Sequence, residues 1–256
     1  MPNSVYLNNK YVNFKDAKIH IEDRGFQFSD SVYEVIKVLN HKLLDIDFHI
    51  RRLKYSTKEL NFNIKINKNL LTKIFINIVK MNKLSNGIIY LQITRGLQPR
   101  EHAYKKNLKP NIIIYTAKKK FNLPNKNYKG YKAITYPDIR WGRPDIKTTS
   151  LLANILAATE ASKKGAYETI FFKGKKITEA AHSNVWIIKN NKIITHPANR
   201  DILVESGGIK VVVDPKTAIY VTGSQLEYAD KLEDGGFKVN NPNAASTCSC
   251  GESFSA

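Results

Sequence analysis

Between Ser31 and Asp45 the run SVYEVIKVLNHKLLD alternates apolar and polar residues on both sides of Asn40-His41-Lys42. A period of two around a polar turn predicts a β-hairpin with one face on a core. The period then changes. Residues 47–60 place Ile50, Leu53 and Leu60 on one side at helical spacing, and residues 67–84 repeat the habit with Leu70, Leu71, Ile74, Ile78 and Val79. Two amphipathic helices are expected there. The runs GIIYLQITRG (87–96) and NIIIYTAK (111–118) are β-branched and apolar, separated by a polar stretch holding Pro99 and Pro110. They predict paired strands of the same sheet.

Residues 121–127 are polar and contain Pro124, which suits a linker between lobes. Beyond it, YKAITYPD reads as a strand and TSLLANILAATEASKKGA (149–166) as a helix ending at Gly165. Residues 168–197 then read as successive strands with turns at Lys173-Gly174 and Asn190-Asn191. The mixed order predicts an α+β architecture. No internal repeat and no glycine-rich nucleotide-phosphate motif is present.

Composition narrows the class without naming a function. The 256 residues are 42% hydrophobic and 25% charged, ordinary values for a globular protein. No stretch approaches the roughly 20 apolar residues needed to span a bilayer. The amino terminus carries no basic segment followed by an apolar run, so a cytoplasmic location is the expectation. The net charge of +19 raises the question of nucleic acid, but the lysines are scattered among asparagines and no recognition motif accompanies them. No nucleic-acid partner is expected. Charge does mark a boundary: residues 202–256 carry −3, and residues 1–201 carry +22. Cys248 and Cys250 both fall beyond that boundary. Their spacing is poor for a disulfide and suits a metal or cluster ligand pair, or else two inert thiols.

Lys147 sits among Asp145, Ile146, Thr148 and Thr149 just before a helix, where a lysine has no obvious solvent-facing role. Its company identifies a family. The segments EDRGFQFSDSVYEVIKV (22–38), FHIRRL (48–53), ITRGLQPREH (93–102), RWGRPDIKTTSLLANILA (140–157) and ITEAAHSNVWIIKNNKIITHPAN (177–199) resemble the D-amino-acid aminotransferases of class IV, in order and in spacing. The resemblance covers about residues 4–202. It implies the two-lobed fold of the class IV pyridoxal-phosphate enzymes, with a small lobe over residues 1–120 and a cofactor lobe from 121.

The resemblance also implies roles. A lysine at the position of Lys147 forms the Schiff base with pyridoxal 5'-phosphate and afterwards moves the Cα proton, a task for a neutral amine. Glu179 matches the carboxylate that pairs with the pyridine nitrogen. Arg52 matches the arginine that holds the phosphate; Arg51, where the family has an acid, is the competing candidate, and the helix phase favours Arg52 facing inward. Tyr33, Arg100 and His102 match the trap for the substrate's α-carboxylate, with the P-R-x-H segment reaching in from the neighbouring subunit of a homodimer. Amino acid and 2-oxo acid are then the substrates. His182 stands where many relatives have a small hydroxyl residue.

After Ile202-Leu203 the family's glycine-threonine phosphate segment and its later serine-threonine pair do not follow. Residues 203–256 instead resemble the carboxyl half of the A-type iron–sulfur cluster carriers, through VVVDP, GFKVNNPNA and the terminal C-x-C-G, with Ser249 where glycine is usual. The expectation is an incomplete cofactor lobe over 121–202 followed by a foreign, β-rich tail. An iron–sulfur carrier or scaffold using Cys248 and Cys250 is the rival reading; two thiolates per chain would need further ligands from elsewhere.

Overall fold

A computed structural model describes residues 2–121 and 130–189, and beyond these the backbone of strands within 192–255. The chain divides into two compact units, Met1–Thr169 and Ile170–Ala256.

The first unit is built on a six-stranded sheet. Its strands are β1 (Ser4–Leu7), β2 (Lys10–Asn13), β3 (Ser31–Leu39), β4 (Lys42–Leu43), β5 (Gly87–Thr94) and β6 (Asn111–Lys118), in the order β2-β1-β6-β5-β3-β4. The expected hairpin is present: Leu39 pairs with Lys42 across Asn40 and His41, which adopt φ of 46° and 65°. Two left-handed residues are what a tight hairpin turn demands, and asparagine and histidine tolerate them better than most residues. The runs expected to pair, β5 and β6, are hydrogen-bonded over eight residue pairs, from Gly87↔Lys118 to Thr94↔Asn111. The strands β1 and β2 and the short helix α1 (Arg24–Phe28) were not read from the pattern. Their apolar runs are too short for a periodicity, and α1 is announced only by its N-cap Asp23, whose side chain accepts from Gly25 N.

Helices α2 (Ile46–Glu59) and α3 (Lys68–Met81) supply the residues that cover one face of this sheet. Ile50 and Leu53 of α2 and Leu71, Ile74, Phe75, Ile78 and Val79 of α3 are buried with Val32, Ile36, Val38, Ile89, Leu91, Ile93 and Ile114 of the strands. Each fully buried side chain of this kind contributes roughly 1.5–3 kcal/mol. Leu70, placed by its spacing on the apolar stripe, is instead 54% exposed; Phe75 occupies the stripe. Helix α4 (Leu152–Lys163) is shorter than the expected 149–166: Thr148 bridges Val32 and Thr149 N donates to Ser31 O at 3.2 Å, so this stretch still runs beside β3. Its end is the expected one. Gly165 has φ +62°, Gly165 N donates to Ser162 O and Ala166 N to Ala161 O, the glycine-terminated closure of a helix.

Strand β7 is Ala133–Pro137. At the boundary of the two units, β8 (Glu168–Lys173) forms a hairpin with β9 (Lys176–Ala180), turning at Gly174, φ 59°. The expected turn at Asn190-Asn191 lies outside the described residues. Among the described residues, the second unit continues in antiparallel pairs: β10 (Ile187–Lys189) with β11 (Lys192–Ile194), β12 (Ile202–Ser206) with β13 (Ile209–Val213), β14 (Gln225–Ala229) with β15 (Gly236–Asn240), and β16 (Ser246–Thr247) with β17 (Phe254–Ser255). The mixed α+β content and the β-rich tail agree with the sequence. No helix among the described residues is long and apolar enough to cross a membrane.

Candidate active site

The sheet has two chemically different faces because β-strand side chains alternate. Toward the helices point Val32, Glu34, Ile36 and Val38; the opposite face carries Tyr33 and Val35, with Tyr90 and Gln92 opposite them on β5. Lys147 is delivered to that second face by its own backbone. The segment Ile146–Thr149 runs beside the start of β3: Tyr33 N donates to Lys147 O at 3.0 Å, and Val32 bridges Thr148. Lys147 N donates to Ser56 Oγ of α2 at 3.2 Å, and Ile146 is buried in the core at 3% exposure. The lysine is thus held between a strand and a helix.

Its amine, Nζ, lies 3.4 Å from Tyr33 Oη and 4.5 Å from the centre of the Tyr33 ring. Burial pushes the Lys147 pKa down, the positive charge of Arg52 pushes the same way, and Glu34 opposes them. The net is a lowered pKa, which favours the neutral amine. Tyr33 stacks on Tyr90 at 5.8 Å, and Tyr90 meets Tyr115 of β6 at 5.1 Å. Burial, then Tyr115 and Tyr33, push the Tyr90 hydroxyl up to about 12. Burial also raises Tyr33, so its hydroxyl remains a proton donor at neutral pH.

Behind the lysine is a charge cluster that the motif reading did not contain in full. Glu34, 1% exposed, receives a two-point grip from Arg52: Nε to Oε1 at 2.7 Å and Nη2 to Oε2 at 2.6 Å. His49 Nδ1 lies 2.7 Å from Oε2. Burial alone would raise the Glu34 pKa, but the hydrogen bonds from Arg52 and His49 outweigh it and the net shift is downward. Arg51, by contrast, turns its guanidinium toward the Phe48 ring at 5.8 Å. Of the two neighbouring arginines it is Arg52 that faces the sheet. The Arg52 side chain is 45% exposed and its Nη1 carries no hydrogen bond among the described residues, so donors remain for an added anion. Glu34 was legible as an anomaly, an acid on the apolar register Val32-Glu34-Ile36-Val38; His49 had no such signal.

Arg100 and His102 lie on an exposed loop, close against Phe28 of α1: Arg100 sits 5.2 Å from the Phe28 ring and His102 5.4 Å. The loop is held by side chains. Arg24 donates Nη1 to Glu101 O at 2.6 Å and Nη2 to His102 O at 3.0 Å, while Gln98 Nε2 donates to Ala103 O at 2.8 Å. Glu179 belongs to the second unit, half-buried on β9 opposite Phe171, with its Oε1 accepting from Ala180 N at 3.1 Å. Cys248 and Cys250 lie outside the described residues. Lys147, Tyr33 and Arg52 are therefore brought together in one unit, Arg100 and His102 share one loop, and Glu179 stands in the other unit.

Residues 31–204 match the amino-transferase class IV family, and the chain belongs to that family. Residues 176–252 match a second family, iron-sulphur cluster biosynthesis, so the two matches overlap over residues 176–204. The chain is 40% identical over 201 residues to a D-alanine aminotransferase of Staphylococcus epidermidis, covering 78% of this chain and 71% of that protein. A D-alanine aminotransferase of Staphylococcus aureus is 37% identical over 216 residues, covering 84% and 75%. In fold it is similar to the branched-chain amino acid aminotransferase of Escherichia coli, with a TM-score of 0.68 at 20% identity over 76% of this chain and 68% of that one.

Pyridoxal phosphate is the cofactor expected of this class, and the donor set of the first unit fits it. A half-buried amine with a lowered pKa and, among the described residues, no carboxylate in ion-pair contact suits an aldehyde. A guanidinium with unspent donors suits a phosphate.

Proposed function

We propose that this protein moves an amino group between a D-amino acid such as D-alanine and a 2-oxo acid such as 2-oxoglutarate, with pyridoxal phosphate as cofactor. The observation that carries the reading is the Lys147 amine, depressed in pKa and lodged 3.4 Å from Tyr33 Oη beside Arg52. When bound, the cofactor supplies an aldehyde carbon that carries the amino group and a ring that takes up the electrons left on the substrate's Cα. Lys147 would hold that carbon covalently, and its freed neutral amine would move the proton between the substrate's Cα and that same carbon along one face. Arg52 binds the phosphate, its fork steadied by Glu34. Glu179 holds a proton on the pyridine nitrogen. Tyr33, with Arg100 and His102 from the neighbouring subunit of a homodimer, binds the α-carboxylate and so chooses which face of Cα meets Lys147.

In this reading residues 1–120 are the small lobe, 121–202 part of a cofactor lobe, and 203–256 a tail of separate origin, in a cytoplasmic enzyme. The absorption spectrum tests it. Purified protein with added pyridoxal phosphate is expected to turn yellow and to bleach on D-alanine but not on L-alanine. Protein that stays colourless at saturating cofactor would sink the proposal.

The match of residues 176–252 to the iron-sulphur cluster biosynthesis family favours a second reading, in which Cys248 and Cys250 carry a cluster as cargo. Anaerobic reconstitution with iron and sulfide would then give a brown protein whose colour is lost when both cysteines are replaced by serine. Colourless protein without bound iron removes this reading and leaves the first intact.

A further inference from the structure

Three consecutive carbonyls of the loop that carries Arg100 and His102 are held by side chains. Those of Glu101 and His102 accept from Arg24, and that of Ala103 accepts from Gln98. Gln98 Oε1 in turn accepts from Lys105 N at 2.9 Å, closing the loop at its base. Both holders are buried, Arg24 at 4% and Gln98 at 3% exposure, while the loop's own side chains are exposed. Arg24 is itself fixed: its Nε donates to Asp30 Oδ2 at 2.8 Å, and Arg95 Nε donates to the same oxygen at 2.7 Å. Its guanidinium lies 4.8 Å from the Phe28 ring, the ring that also meets Arg100 and His102. Gly96 completes the frame. At φ +110° an added Cβ there would collide with Lys109 O.

We infer that Arg24, with Gln98, is a positioning residue for substrate carboxylate recognition. The inference rests on the proposed role of Arg100 and His102. A loop without regular backbone pairing costs entropy to order. A buried planar fork that satisfies two adjacent carbonyls removes that cost before substrate arrives. The two side chains that meet the carboxylate are thereby presented in one arrangement, and Arg24 touches neither substrate nor cofactor.

Arg24→Lys tests this, because lysine keeps a charge for Asp30 but cannot span two carbonyls. In the full-length protein the Lys105 amide is expected to exchange hydrogen about tenfold faster, with the change confined to the loop. In the enzyme loaded with pyridoxal phosphate, KM for D-alanine and for 2-oxoglutarate is expected to rise about tenfold while kcat stays within about twofold. Unchanged loop exchange, or unchanged KM with a general fall in Tm and loss of cofactor absorbance, would overturn the inference. If Arg24→Lys does not fold, Gln98→Met carries the same test, since it removes two loop bonds and leaves the Arg24–Asp30–Arg95 contacts in place. Arg100→Ala separates this inference from its premise. No KM rise in Arg100→Ala ends the carboxylate-trap reading, whereas a rise there with none in Arg24→Lys ends only the role of Arg24.

Discussion

The two faces of the six-stranded sheet are made by the same strands and have opposite chemistry. One face is sealed by Ile50, Leu53, Ile74, Phe75 and Ile78, and buries a charged residue from a central strand, Glu34, held by Arg52 and His49. The other face keeps a row of tyrosines, Tyr33, Tyr90 and Tyr115, with an amine resting on the first. A face filled with aliphatic side chains resists change and stores stability. A half-covered aromatic face buries a lysine enough to lower its pKa. The difference separates what holds the protein together from what is proposed to react, although the residues involved are neighbours in the chain.

The largest effect that should separate the faces is Lys147→Ala. Transamination is expected to fall about 10^4-fold, the upper range for losing a positioned proton-transfer group, with loss of the covalent yellow absorbance. Retention of turnover within tenfold would remove Lys147 from the chemistry. Next is Leu91→Ala on the helix face, expected to cost about 3 kcal/mol in a denaturant titration, against about 1 kcal/mol or less for Val35→Ala on the tyrosine face. Equal costs would mean that the two faces are equally packed.

Glu34→Gln is expected to cost about 2 kcal/mol, less than a fully buried pair because Arg52 is 45% exposed. The sign with pH follows from the lowered Glu34 pKa. Its contribution is present above the unfolded carboxyl value, about 4.3, and is lost as pH falls through the lower folded value. The acid limb of wild-type stability should therefore flatten in Glu34→Gln; an unchanged limb would show that the cluster is not linked to folding. The same variant removes the charge that props up the Lys147 pKa, so any activity profile governed by Lys147 should move to lower pH. The smallest expected change is Tyr33→Phe, which deletes a long 3.4 Å contact. A severalfold rise in KM for D-alanine would fit, and a loss comparable to Lys147→Ala would instead place the Tyr33 hydroxyl in the proton transfer.

Much of the first unit was legible because alternation and helical spacing are local. The hairpin at Asn40-His41, the helices α2 and α3 and the β5–β6 pair all follow from residues close together in the chain. What local pattern missed was short or long-range: β1 has four residues, and its place beside β6 depends on contacts about a hundred positions away. Leu70 misled because a stripe of apolar residues is wider than the face that becomes buried.

For the candidate site, the sequence by itself singled out Tyr33, Arg52, Lys147 and Glu179 as candidates, because the motifs around them stand in the chain as intact segments. Glu34, an acid on an apolar register, could have been found from the same alternation but was not read from it. Only the tertiary structure decided which groups meet. The Lys147 backbone is clamped between β3 and α2, Arg52 rather than Arg51 grips Glu34, and Arg24 reaches 77 positions along the chain to Glu101 O. Hydrogen bonds and desolvation act through distances in space, and spacing along a chain does not specify those distances until the sheet and helices are packed.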